Sequence, residues 1–155
     1  MDITRLTKES FSVIGKEGST DDGPGFIQKL WADANAHYAE IEPLVKKAAS
    51  GAPVGFWGAM SDMAMQFQPW EDNLSRGRYL AGAEVIAGAE APAGWTKWTV
   101  PGYECLRVKD GGGGTLPAAL GYMSENGLEL AGAINEFYDP EEDMRMYLFL
   151  PVKRV

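Results

Sequence analysis

One order of elements occurs twice along the chain, and this repetition constrains the fold more than any other feature. Phe11 to Glu17 alternates as a strand does. Gly18 to Gly25 is a polar loop in which Asp21 or Asp22 can cap a helix. From Phe26 the apolar residues take helical spacing: Ile27, Leu30, Trp31, Ala34, Tyr38 and Ile41 share a stripe that Pro43 ends. Strands are then expected over 54–60 and 78–86, around a long irregular connection at 61–77. The second half repeats the order. A strand at 95–100 is interrupted by Pro101-Gly102 and resumes at 103–108. Gly111 to Gly114 reads as a turn, and Thr115 opens a helix with Leu116, Ala119, Leu120 and Met123 on its apolar stripe. Strands follow at 128–138 and 144–152, around an acidic turn at Asp139 to Asp143.

The expected fold class is therefore α+β: a β-α-β-β unit and its repeat in one domain, 1–155. Repeat one covers about 10–87 and repeat two about 94–153. Neither repeat can bury its sheet face alone. Two antiparallel half-sheets with two helices would pack as a pseudo-symmetric pair. A ligand cleft is expected where they meet.

Composition narrows the function. The net charge is −8, and the 14 Lys and Arg residues are scattered, which disfavours a nucleic-acid partner. The N-terminus has no apolar leader-like stretch, and no apolar run reaches membrane-spanning length; a cytoplasmic location is the default expectation. The single cysteine, Cys105, lies in a strand pattern and reads as a buried, inert thiol. The single histidine, His37, lies at the edge of the helical stripe and reads as a surface residue. With one His and one Cys there is no zinc cluster, no serine-triad signature and no required cofactor or metal. The lone glycine run lacks a phosphate-binding pattern. Five Trp, six Tyr and six Phe suit either a core or the walls of a pocket for flat or cationic organic molecules.

One acidic residue stands out. In the pattern 128–138, Leu128, Leu130, Gly132 and Ile134 share a strand face with Glu136 and Tyr138. A carboxylate on an apolar face is costly unless it is paired or kept for function. Two alternatives remain at this stage. Glu136 could reach solvent at the strand end, or a bulge near Asn135 could turn it outward. Glu84 shares a weakly apolar face with Leu80 and Ile86 and reads as a rim residue.

Three segments carry a family resemblance: Tyr79-Leu80-Ala81-Gly82-Ala83-Glu84-Val85, Trp98-Thr99-Val100-Pro101-Gly102-Tyr103, and Asn135-Glu136-Phe137-Tyr138 followed by Tyr147-Leu148-Phe149-Leu150-Pro151-Val152. In their order and spacing they resemble the GyrI-like domain, the effector-binding domain of AraC-type and BmrR-type regulators, from Phe11 to Val152. The resemblance implies a duplicated β-α-β-β fold with a ligand cleft between the halves. It also implies that Glu136, in a Glu-x-Tyr pattern, is the ligand-binding glutamate. The chain resembles a stand-alone member without a DNA-binding segment. Such members include drug binders and a cyclopropanoid hydrolase branch, which the Gly-Phe-Trp-Gly-Ala-Met strand resembles.

Three readings follow. In the first, the chain binds a small apolar or cationic aromatic compound around Glu136, with Trp57, Trp98, Tyr103, Tyr138 and Tyr147 as candidate walls. In the second, Glu136 is a general base, with Tyr138 beside it, and opens a strained electrophilic ring. In the third, the acidic surface meets a basic protein partner.

Overall fold

The computed structural model describes residues 1–155. Eight strands form one sheet: β1 (Ile3–Lys8), β2 (Phe11–Ser19), β3 (Phe56–Ser61), β4 (Arg78–Glu84), β5 (Thr96–Val100), β6 (Tyr103–Lys109), β7 (Asn135–Asp139) and β8 (Arg145–Arg154). The helices are α1 (Phe26–Ala36), a single turn α2 (Glu71–Leu74) and α3 (Thr115–Glu125). No helix is long and apolar enough to cross a membrane. The fold is α+β. The strand order is β1-β6-β8-β7-β3-β4-β2-β5, with every neighbouring pair antiparallel.

That order differs from the expectation in two ways. The two halves are not separate sheets, because β3 pairs with β7 and joins them into one. Each repeat also has one strand more than expected. The Pro101-Gly102 interruption separates two full strands, and β1 precedes β2 across only Glu9 and Ser10. Both extra strands cross to the other repeat: β1 pairs with β6, and β5 pairs with β2. Each half therefore lends an edge strand to its partner.

The sheet has two dissimilar faces. On one, residues from β2, β3, β5, β6 and β8 meet in a single core that includes Val13, Trp57, Trp98, Tyr103, Tyr147 and Phe149. Strands distant in sheet order converge there, so this face is concave. The other face carries the helices. Under α1, Ile14, Ala83 and Val85 pack with Ala34. Under α3, Val108, Leu148 and Leu150 pack with Ala119 and Met123. Two separate clusters leave a gap between the helices, and the candidate site lies in it.

Other elements shift for local reasons. The helical stripe expected to run to Ile41 stops at Ala36; Tyr38 opens a 3-10 turn, Tyr38–Glu40, and Ile41 lies between it and a second, Glu42–Leu44. Ile41 is still buried, against the cluster beneath α1. The strand expected from Leu128 is extended only over β7; residues 128–134 form no strand. Gly15 and Gly82 face each other where β2 crosses β4. A Cβ on either would collide with the backbone of the other strand. Backbone cannot yield as a flexible side chain can, so Gly82→Ala is expected to cost about 2 kcal/mol. A lower denaturant midpoint with an unchanged m-value would register this loss.

Candidate functional site

On β7, side chains alternate between the faces. Phe137 packs against Trp57 and Phe149 in the concave core, with ring centroids at 4.7 and 5.5 Å. Glu136 and Tyr138 therefore face the helix side. Glu136 pairs across the sheet with Gly58 of β3 and Leu148 of β8. A Cβ on Gly58 would overlap the Tyr79 hydroxyl and Glu136 Oε1, so the glycine leaves the space in which these two groups meet. The Tyr79 hydroxyl, from β4, donates to Glu136 Oε1 at 2.5 Å. Tyr138 OH approaches the same oxygen at 3.4 Å.

A third aromatic fixes this arrangement. Trp31 on α1 donates its indole N–H to the Tyr79 oxygen at 2.9 Å. Indole nitrogen only donates, so Tyr79 accepts from Trp31 and directs its own proton to Glu136. The Trp31 ring also stands edge-on to Tyr138, with centroids 5.4 Å apart. Helix α1 thus orients one oxygen of Glu136 through two hydrogen bonds in series.

The second oxygen differs. Oε2 takes no donor from the protein, and no buried side-chain polar atom in the chain lacks a partner. Oε2 is therefore open to the adjoining cavity, which Glu136 lines. This cavity has a volume of about 280 Å³ and lies between β7, β8, the N-terminal end of α3 and the 61–77 connection. Met60, Trp70, Leu74, Leu116, Met146 and Leu148 supply most of its apolar wall. Asp110 is the second acid in the lining, and no Lys, Arg or His contributes to it.

The 61–77 connection is built to hold its shape. Asp62 Oδ1 accepts from the amides of Gln66 and Gln68 and from the Ser61 hydroxyl. Burial pushes the Asp62 carboxyl upward, but these hydrogen bonds outweigh it and hold the group below its ordinary range. Met65, Phe67, Asp72, Asn73 and Leu74 all have positive φ, a conformation that costs free energy in non-glycine residues. Trp70 is anchored by its indole N–H on the Arg78 carbonyl at 3.0 Å.

Burial pushes the Glu136 carboxyl above its ordinary range. Hydrogen bonds from Tyr79 and Tyr138 oppose that rise, and the charge of Asp110 adds to it. Burial and the Glu136 charge push Tyr138 up to about 12 and raise Tyr79 as well. The raised Glu136 value means that the folded chain holds this proton to higher pH than the unfolded chain does. Its contribution to stability is present below the ordinary carboxylate range and is lost as pH rises through the raised value.

Of the residues singled out by sequence, the structure brings Glu136 and Tyr138 together on one face. Trp57, Trp98, Tyr103 and Tyr147 lie on the other side of the sheet, in the concave core. Each is buried and already engaged. Trp57 donates to Glu84 at 3.1 Å and Trp98 to Glu17 at 2.7 Å. Tyr147 binds Glu142 at 3.0 Å and lies under the Arg107 guanidinium. Tyr103 lies close against Gly132, which has no side chain to displace it. The physical reason is register: Trp57 is next to Gly58, and Tyr147 next to Leu148, the two partners of Glu136, so each points the opposite way.

Glu84, expected at a rim, is 3% exposed, and it holds Lys8 of the crossed strand β1 at 3.0 Å. Cys105 is buried, and burial raises its thiol to about 12, which suits an inert group. His37 is exposed and bonded to Asp33. Sequence spacing did not single out Tyr79, Trp31, Trp70 or Asp110. Tyr79 stands in the middle of a strand pattern, and only the β3–β4 and β3–β7 pairings bring it to Glu136.

The fold and cavity define a class: an α+β domain in which one order of elements occurs twice, with a small-molecule-sized cavity between the sheet, the N-terminal end of α3 and the 61–77 connection. The same fold occurs in the C-terminal domain of EcmrR, with a TM-score of 0.64, 12% identity, and coverage of 99% of this chain and 98% of that one. SAV2435, solved bound to tetraphenylphosphonium, aligns with a TM-score of 0.60 at 13% identity, over 99% of this chain and 94% of that chain. A Staphylococcus aureus MU50 protein described as a putative bacterial transcription regulation protein aligns at 0.55 and 15% identity, over 99% of both chains. No protein-family model matches the sequence, and no curated protein matches it.

Proposed function

We propose that this chain is an effector-binding domain that takes a small, largely apolar organic cation in the cavity around Glu136. A single observation carries the reading. One carboxylate oxygen is held by Tyr79 and Tyr138, while the other is open to an apolar cavity without a basic residue. A charge so placed is short of solvent and of counter-ion, and a cation entering the cavity supplies one. Its apolar groups would contact Met60, Trp70, Leu116 and Met146, and Trp70 is the aromatic residue of the lining, a type suited to cation–π contact. The fold shared with SAV2435, itself seen with tetraphenylphosphonium, supports this choice of ligand class.

The hydrolytic reading uses the same residues, with Glu136 as base and Tyr138 beside it. One titration tests both. Phenyltrimethylammonium and its uncharged isostere tert-butylbenzene are added separately while tryptophan fluorescence is followed. The cation is expected to bind more tightly, by about tenfold or more. Its affinity should fall as pH drops through the raised Glu136 value, because protonation removes the attracting charge. Equal affinity for the two compounds at neutral pH would overturn the reading. Turnover of a cyclopropane-bearing electrophile, followed by product mass, would favour the hydrolase.

A further inference from the structure

Buried or half-buried acids elsewhere in the chain are held by partners: Asp62 by the Gln66 and Gln68 amides and the Ser61 hydroxyl, and three others by basic side chains. Glu84 is paired with Lys8, Glu17 with Arg78 and Glu104 with Arg5. The two acids of the cavity, Glu136 and Asp110, form no salt bridge. Both line one cavity of about 280 Å³ whose remaining wall is mostly apolar. Asp110 stands where β6 ends and the glycine turn before α3 begins, and its Oδ1 accepts from the Gly112 amide at 3.3 Å. It also borders a neighbouring surface depression formed with Asp2, Lys109, Thr115 and Arg145, which places it toward the outside of the cavity. Glu136 lies on the sheet floor.

We propose that the cavity is matched to a dication: an elongated organic molecule with one positive centre on Glu136, a second on Asp110, and an apolar middle against Leu116, Met146 and Leu148. This rests on the reading of Glu136 as the cation site and refines its ligand class. Two like charges in one low-dielectric cavity repel each other, so a single cation relieves only part of the cost. The negative charge of Asp110 is felt at Glu136 and at Tyr138. A second positive centre at the correct distance relieves the remainder. The inner centre would require a desolvated carboxylate, and the outer one a partly hydrated carboxylate, so the second contact should be the weaker and the more sensitive to salt.

The probes are polymethylene bis-trimethylammonium ions of increasing length, compared with alkyltrimethylammonium ions of the same chain length, by calorimetry at low salt. For one chain length the dication is expected to bind about tenfold tighter than its monocation. That ratio should shrink as salt is raised. In Asp110→Asn the ratio should fall to about one; the asparagine keeps the Oδ1 acceptor for Gly112 and so preserves the turn. Equal affinities at every length in the wild type, or a ratio that survives Asp110→Asn, would overturn the dication proposal. If monocations bind in a Glu136-dependent manner while dications gain nothing, only this proposal fails. If Glu136→Gln changes the binding of neither series, the underlying reading fails with it.

Discussion

Glu136→Gln is expected to weaken binding of an organic cation by about 30-fold or more while leaving the fold intact. The substitution is nearly isosteric. Tyr79 can still donate to a side-chain oxygen, so the Trp31–Tyr79–residue 136 series survives. Only the charge is lost. Because burial already disfavours the ionised carboxyl, its removal should leave thermal stability at neutral pH unchanged or slightly higher. That combination separates a binding role from a structural one. If glutamine lowers the melting temperature by several degrees, the carboxylate is a structural element. If it leaves cation affinity unchanged, the cavity does not use this charge. An uncharged aromatic ligand of the same shape serves as control, since its affinity should change little.

Glu84→Ala is expected to be strongly destabilising although it touches neither the cavity nor the sheet glycines. Glu84 is buried on the opposite face from Glu136. It accepts from Lys8 through both oxygens, at 3.0 and 3.1 Å, and from the Trp57 indole at 3.1 Å. Lys8 ends β1, the strand that crosses to pair with β6, and its ammonium also lies 4.6 Å from the Phe11 ring centroid. Removing the carboxylate leaves a partly buried ammonium and a buried indole N–H without their acceptor. Lys8 retains some access to water, so the expected cost is about 3 kcal/mol, toward the low end for a broken buried pair. For a chain of this length that corresponds to about 6–12 °C in melting temperature. Native-state hydrogen exchange should show β1 amides losing protection before those of β3 and β4. Glu84→Gln, which keeps an acceptor for Trp57, should cost less. If β1 keeps full protection in Glu84→Ala, the ion pair does not hold the crossed strand.

The repeated element order was legible in sequence because helix and strand periods differ, and because Gly, Pro and Asp mark the turns. Strands β3, β4, β6 and β8 and helix α3 lie within a few residues of their expected places. Two strands and one helix were harder to delimit. β1 carries no strand signal in sequence because Ile3–Lys8 is short, polar and half-exposed, and it gains its place only by pairing with β6. The apolar spacing of α1 runs past its end at Ala36, because Tyr38 and Ile41 continue it across 3-10 turns that periodicity does not distinguish. The apolar alternation that leads into β7 begins at Leu128, but residues 128–134 form no ladder.

Glu136 and Tyr138 could be put on one face because alternation along a strand is a local property. The aromatic walls could not be assigned that way. Trp57, Trp98, Tyr103 and Tyr147 share an apolar character with the true cavity lining, and only cross-strand register sends them to the concave core. Asp110, Trp70 and Met60 reach the cavity from a turn, a strained connection and a neighbouring strand. The amino-acid order by itself determined the α+β repeat, the acidic character and the presence of a carboxylate on a strand face. Which repeat each edge strand joins, which aromatics back that carboxylate, and which acid accompanies it were decided only by tertiary structure. Period and propensity act between near neighbours in the chain, whereas pairing and burial are set by contacts between residues far apart in it.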